Sequence, residues 1–201
     1  MWTCFRINMI CFREQEAYLT SISRYRAMLK QWLCLLERKT RYMFKPVRKK
    51  INEIDHSAAE ALLQSNRRGI LAMNSDNGYP YAIPINYFYD CDKKKIYFHG
   101  AKAGHKVDAL KTSDKVCFTV YGNERIDESE SWAPYVQSVV VFGRCRLLEA
   151  GSESIDRLKE FAMKYYPDET LADEQIARNG RATQMFEITI EHMSGKQVQE
   201  K

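Results

Sequence analysis

Hydrophobic and polar positions along the chain follow two periods, and the switches between them mark its elements. In residues 67–74 a continuous apolar run, Gly69-Ile-Leu-Ala-Met, sits between polar flanks and predicts a strand. Asp76-Asn77-Gly78 then supplies the positive φ of a tight hairpin turn. The return strand, residues 79–90, is aromatic and β-branched but interrupted by Pro80 and Pro84, which confine it to a sheet edge or a bulge. A second turn at residues 91–95 leads to a third strand in which Ile96 and Phe98 alternate with Tyr97 and His99. Period two returns at residues 115–121, followed by a polar loop over 122–131. It returns again at 135–149, where the run Val139-Val-Val-Phe142 predicts burial on both faces and Gly143 a bend. The last strand spans residues 185–193.

Helical periodicity fills the gaps. Asp55 caps a helix with Ala58, Ala61, Leu62 and Ser65 on one face. Val107 and Leu110 continue a short helix after Gly104, and residues 152–166 present Ile155, Leu158, Phe161, Ala162 and Tyr165 inward until Pro167 ends them. A further helix is predicted over 171–179. Six strands, mostly joined as hairpins, with helices after the third and fifth, predict a closed or nearly closed antiparallel barrel with flanking helices. The first strand pairs leave no room for the crossover helices of a parallel sheet.

Residues 1–42 have a different character. They lack proline and glycine, and residues 16–37 carry Leu19, Ile22, Trp32, Leu33 and Leu36 on a broad apolar face. The formal charge of +5 is concentrated here: residues 1–50 hold 12 Lys and Arg against 3 Asp and Glu, leaving 19 against 23 for the remainder. Two readings follow, a basic amphipathic helix that sits on a membrane surface or a partner, or a dispensable upstream extension with the native domain beginning at Met43. The second is preferred. The expected organisation is therefore an extension at 1–42, a barrel domain at 43–195 and a polar tail at 196–201. A rival reading gives residues 1–50 nucleic-acid or membrane binding; the preferred expectation, with the basicity outside the barrel, is no nucleic-acid partner.

Six cysteines without a C-x-x-C pair, and four histidines, argue against a zinc site or a disulfide framework and favour reduced thiols in the cytoplasm. No run is long enough to span a bilayer. Hydrolase, Walker and dinucleotide fingerprints are absent. What remains is the stretch Ile96-Tyr-Phe-His-Gly-Ala-Lys-Ala-Gly-His-Lys-Val-Asp-Ala-Leu110. It places Gly104-His105-Lys106 at a helix N-terminus, where free amides, the macrodipole and a lysine favour an anion. An ordinary strand-turn-helix with a solvated lysine explains the same pattern. A barrel with such a seat, a proline-bent strand and aromatics around both would suit a phosphorylated flat ring such as a flavin.

The order Asp-Asn-Gly-Tyr-Pro-Tyr-Ala-Ile-Pro-Ile-Asn-Tyr87, then Ile96 to Leu110, then Ser138-Val-Val-Val-Phe-Gly-Arg144 resembles the pyridoxamine 5'-phosphate oxidase-like superfamily of FMN-binding split barrels, and within it the nitroimidazole-resistance (Nim) branch. The resemblance runs from Met43 to about Ile190. It implies FMN, with Lys106 on the phosphate assisted by His105 and the amides around Gly104. Asn86, Tyr87, His99, Gly100 and Ala101 would lie along the isoalloxazine. Gln137 and Ser138 would reach the cofactor of a second subunit, since such barrels are homodimers. Many relatives carry a hydroxyl residue where Gly100 stands. His99 is similar to the active-site histidine of the Nim branch, although a strand histidine bonded to a carbonyl would read alike.

The implied function is an FMN-dependent oxidoreductase that reduces a small aromatic or nitro-bearing acceptor, with His99 as proton donor. Oxidation of pyridoxamine phosphate itself is disfavoured, because the barrel region lacks a second basic cluster for that substrate's phosphate. The rival is a non-catalytic flavin or haem binder, with His99 or His105 as an axial ligand.

Overall fold

The computed structural model describes residues 26, 28–32, 44–127 and 131–199. Most of the predicted helix at 16–37 lies outside them; residues 26 and 28–32 are helical. The chain divides into two units, Met1–Pro46 and Val47–Lys201. Among the described residues no helix is long and apolar enough to cross a membrane.

The second unit is mainly β. After a 3-10 turn at Lys50–Asn52 come β1 (Glu53–Ile54), α1 (His56–Ser65), β2 (Arg68–Asn74), β3 (Pro80–Asn86), β4 (Phe88–Asp90), β5 (Lys95–Ala101) and α2 (His105–Thr112). Then follow β6 (Lys115–Asp127), β7 (Ser131–Leu147), α3 (Ser152–Tyr165), α4 (Glu169–Asn179), a second 3-10 turn at Gly180–Ala182 and β8 (Thr183–Gln199). One antiparallel sheet runs β3-β2-β6-β7-β8-β5-β4, with β1 added to the far end of β8. The predicted class, an antiparallel split barrel with flanking helices, is the one observed.

The number of strands is eight rather than six: the short β1 supplies one of the two, and a break at Tyr87 supplies the other. The expected return strand breaks there into β3 and β4, which form the two ends of the sheet. The backbone N–H of Tyr87 donates to the Tyr165 hydroxyl at 2.8 Å. That hydroxyl in turn lies within hydrogen-bonding reach of the carbonyl oxygens of Arg67 and Tyr87. A side chain from α3 thus takes the backbone groups that a neighbouring strand would have paired, and the barrel closes through one residue instead of a ladder. Replacing Tyr165 by Phe leaves a buried amide without its partner, which costs about 1–3 kcal/mol. Thermal unfolding should report it as a fall in Tm of about 2–4 °C per kcal/mol.

Three more expectations are corrected. Among the described residues the polar stretch 122–131 is strand, not loop: β6 continues to Asp127 past a bulge in which Asn123 takes φ +52, with Gly122, Arg125, Ile126 and Asp127 paired to β7, and the Arg125 guanidinium packs 4.5 Å over the Tyr135 ring. The tail expected at 196–201 is strand through Gln199, because Gln197, Val198 and Gln199 pair with Gln137, Val136 and Tyr135. Val139 and Val141 are fully buried, but Val140 is only half-buried and Phe142 is 38% exposed, so that run faces the core on one side only.

Inside the barrel Leu71, Phe118, Val120, Val139, Val141, Phe98 and Phe186 form the core, sealed by Ala59, Leu62 and Leu63 of α1. The α1 face is therefore turned by one residue from the predicted one. Asp55 caps the helix as expected, accepting from the Ala58 amide at 2.7 Å. Gly143 sits at the expected bend, where β7 bulges against β8 and a Cβ would meet the Thr189 carbonyl oxygen at 2.3 Å. Outside β5, α3 covers Tyr97 with Leu158, Phe161 and Tyr165.

Candidate functional site

The sequence 95–110 folds as read: β5, a turn, and α2. Gly104 caps the helix with φ +116, a left-handed conformation that L side chains rarely adopt. Its carbonyl accepts from the amides of both Val107 (2.8 Å) and Asp108 (3.1 Å). The amides of His105 and Lys106 have no partner inside the helix, as in any first turn.

Lys106 is the cation at this start, and its surroundings are apolar. The ammonium lies 4.9 Å from the centre of the Phe186 ring and 5.2 Å from that of Phe98, two rings stacked on each other at 4.7 Å. Among the described residues no carboxylate pairs with it, and burial pulls its pKa below the usual lysine value. Gly100 makes this position possible: a Cβ there would stand 2.5 Å from the ammonium nitrogen. The space that a serine would use is taken by the lysine head.

His105 is committed elsewhere. Its Nε2 sits 2.6 Å from Ser75 Oγ, and its ring stacks on Tyr81 at 4.1 Å. Ser75 is buried and also 3.1 Å from Asp76 Oδ1. This clamp ties the first turn of α2 to the β2–β3 hairpin, and it was not read from the sequence, because Ser75 looks like an ordinary turn residue. Ser75→Ala should loosen the helix start, lowering anion affinity at the Lys106 seat severalfold with little change in Tm; a titration with inorganic phosphate or flavin checks it.

His99 ends the buried run of β5. Its ring meets Phe161 edge-on at 4.7 Å. Partial burial, and then the nearby Lys106 charge, hold its pKa below the ordinary imidazole value, although more than a third of the residue is open to solvent. His99 and Gly100 face opposite sides of β5, His99 toward Phe161 of α3 and Gly100 toward the Lys106 ammonium, near enough for the lysine charge to act on the imidazole, with exposed Ala101 at the strand end.

The other predicted residues lie apart from this group. Asn86 pairs across to Arg68, whose Nε donates to its Oδ1 at 3.3 Å. That is the opposite end of the β2–β3 hairpin from the Ser75–His105 clamp, about 20 Å along the strand at 3.3 Å per residue. Asn86 lines a cavity of about 730 Å³ with Arg67, Arg68, Pro84, Tyr121 and Tyr165, a basic mouth that the Arg67-Arg68 doublet could have signalled. The side chain of Tyr87 is fully buried, with its hydroxyl donating to the Leu63 carbonyl at 2.6 Å, so it belongs to the core rather than to a ligand. Beside it Lys164 donates to the Asn66 carbonyl and lies 4.4 Å over the Tyr87 ring; burial and the Arg67 charge lower its pKa to about 8.

Gln137 and Ser138 face opposite sides of β7. Gln137 shares the side of Val139 and joins a polar chain, accepting from Asn123 at 2.7 Å and donating to the Tyr135 hydroxyl, which donates to Gln197. Ser138 shares the outward side of Val140 and Phe142, between Tyr121 and Lys196 in the ladder.

The fold and site together define an antiparallel split barrel in which the first turn of α2, just after β5, carries a lysine with no carboxylate partner among the described residues, next to a histidine. The chain belongs to the pyridoxamine 5'-phosphate oxidase family, whose model matches residues 55–197. Among solved structures it is similar to a flavocytochrome from Azotobacter vinelandii (22% identity, 77% of this chain and 72% of that one, TM-score 0.62). It is also similar to a proposed 5-nitroimidazole antibiotic resistance protein from Bacteroides thetaiotaomicron (20%, 72% and 86%, TM-score 0.61). An FAD-binding protein from Mesorhizobium loti follows (20%, 73% and 96%, TM-score 0.52). At these identities the likeness establishes the fold. Comparison with curated proteins gives no match.

Proposed function

We propose that the protein is an FMN-dependent oxidoreductase that reduces a small aromatic or nitro-bearing acceptor. The observation that carries this reading is the Lys106 ammonium. It is half-buried, has no carboxylate partner among the described residues, and is held in a cradle that a Cβ at Gly100 would fill. Desolvated cations of this kind are stabilised by an anion. A single lysine with the two unused amides of His105 and Lys106 suits one terminal phosphate, which favours FMN over a dinucleotide. Two of the similar proteins, an FAD-binding protein and a flavocytochrome, support the choice of a flavin.

A bound flavin would supply the electron or hydride transfer. The chain's own part is to seat the phosphate at Lys106, to close the ring's edge with the end of β5, and to offer a proton from His99. Absorbance of the purified protein tests the reading: flavin bands near the blue, with FMN identified by mass, are expected. A Soret band without flavin would overturn it in favour of a haem binder.

The same reading includes a homodimer. Across the sheet the outward side chains run Pro84, Ile70, Thr119, Val140 in one row and Ala82, Ala72, Cys117, Phe142 in the next. Ile70 and Phe142 are 39% and 38% exposed. A charge placed in this apolar stripe, as in Phe142→Asp, should convert a dimer to a monomer in light scattering; an unchanged mass would remove the stripe from the interface. The unpaired thiols of Cys91, Cys117 and Cys145 fit a reducing compartment, and we place the protein in the cytoplasm.

A further inference from the structure

Behind His99 the α3–α4 hairpin encloses a second, smaller cavity. Its volume is about 120 Å³. Leu158, Phe161 and Ala162 of α3 form one wall, and Ala172 and Ile176 of α4 the other. Gln175, Asn179, Thr183 and Tyr166, all partly or well exposed, form the polar rim with Gly180, and His99 lines the side toward the end of β5. Phe161, Ala162 and Ala172 are almost wholly buried, so these walls belong to the packed structure.

Three features define what fits. The volume is close to the roughly 150 Å³ of an apolar protein cavity that takes up benzene, and well below the 300–1,000 Å³ of ordinary ligand sites. That admits one five- or six-membered ring, with substituents at the mouth, and excludes fused rings. No Asp, Glu, Lys or Arg lines the space, so a charged ligand would lose its hydration without compensation. The rim is polar in a directed way. Asn179 Nδ2 donates to Gln175 Oε1 at 3.4 Å, and Thr183 Oγ1 donates to the Asn179 carbonyl at 3.0 Å. This leaves Gln175 Nε2 as a donor and Asn179 Oδ1 as an acceptor with no protein partner among the described residues. A nitro or carbonyl oxygen at the mouth would meet a donor there.

We infer that this cavity is a binding site for one small, neutral, planar ring, and that Ile176 and Gly180 set its size. Phe161, already edge-on to His99, supplies an aromatic wall for such a ring. That the ring is the electron acceptor rests on the flavin reading above; that the cavity binds it does not.

Gly180 offers a clean way to fill the space. Its backbone is helical, with φ −58° and ψ −34°, so any residue can adopt it. A Cβ there would make only ordinary contacts, 3.4 Å to Ile176 and 3.9 Å to Leu158. Gly180→Leu therefore projects its branch into the cavity without backbone strain, whereas Ile176→Ala widens it. The experiment titrates nitrobenzene and 1-nitronaphthalene into the full-length protein, with and without bound flavin, and follows amide shifts by NMR. Nitrobenzene should bind saturably and 1-nitronaphthalene about tenfold or more weakly. Gly180→Leu should lose nitrobenzene by a similar factor with unchanged circular dichroism, and Ile176→Ala should gain 1-nitronaphthalene. Equal binding of both probes to the native protein, or no response to either substitution, overturns the assignment. If Gly180→Leu fails to fold, the Ile176→Ala arm alone decides. Ring binding to a protein that retains no flavin would leave the cavity standing and the flavin reading fallen; flavin retention without ring binding would do the reverse.

Discussion

Replacing Lys106 by Ala is expected to weaken flavin retention by about 1.5–3 kcal/mol, roughly 10- to 150-fold in Kd, the contribution of a hydrogen bond to a charged group. The reason is the setting of the ammonium. Over Phe98 and Phe186 it is half-buried with no carboxylate partner among the described residues, so the ligand-free protein carries part of a desolvation cost that a phosphate would offset. Removing the lysine should accordingly leave stability of the ligand-free protein unchanged or raised, while affinity falls. A purely structural lysine would behave oppositely, with Tm falling and flavin unaffected.

The pH dependence follows with a definite sign. Burial lowers the folded pKa of Lys106 below its unfolded value of 10.5. In the ligand-free protein the cost of the charged form is fully present below the folded pKa and is relieved as pH rises through it toward the unfolded one. Phosphate binding favours the ammonium, so flavin Kd should increase as pH rises through the alkaline range, and Lys106→Ala should flatten that limb. Gly100→Ser is the companion variant: its side chain would occupy the position of the lysine head. It should reproduce part of the affinity loss without deleting the charge. Fluorescence titration with FMN measures all three proteins, and Kd values equal to that of the native protein would remove Lys106 from the phosphate seat.

The residues show which kind of information the sequence carries. Period-two runs and the Asn77-Gly78 turn located most strands, because each depends on neighbours two to four positions away. The strand, turn and helix start at β5–α2 were legible for the same reason: Gly104, His105 and Lys106 are consecutive and their backbone sets the helix start. What stayed hidden is long-range. Tyr165 ends the β3 ladder from 78 positions away, so Tyr87 read as a strand residue facing a ligand. Ser75 reaches His105 across 30 positions, a partner for the imidazole that no local pattern signals. Val140 and Phe142 read as buried because apolar runs do not distinguish a core from an outward face that another surface could cover. The extension of β8 to Gln199 escaped because Lys196, Gln197 and Gln199 are polar, yet their backbones pair with β7. Local chemistry was visible, whereas the partners assigned to each side chain by closure of the barrel were not.

His99 carries the second large expectation. His99→Gln should keep bound flavin and lower turnover of a nitroaromatic acceptor by about 10²- to 10⁴-fold, the usual contribution of a positioned proton donor. Glutamine retains a planar polar head beside Phe161 but cannot deliver a proton. Burial, and then the charge of Lys106, keep the imidazole pKa below 6.5, so the donor form is scarce at neutral pH and turnover should climb as pH falls through the acid range. Phosphate at Lys106 would cancel part of that positive field, raising the His99 pKa and bringing more of the donor form within reach at pH 7. Anion binding at the seat and proton supply at the strand end are then coupled through the field of Lys106 at His99. The pH–rate profile separates this from packing alone: loss of the acid-side rise in His99→Gln supports proton donation. A parallel profile at unchanged height would reduce His99 to the edge-on neighbour of Phe161.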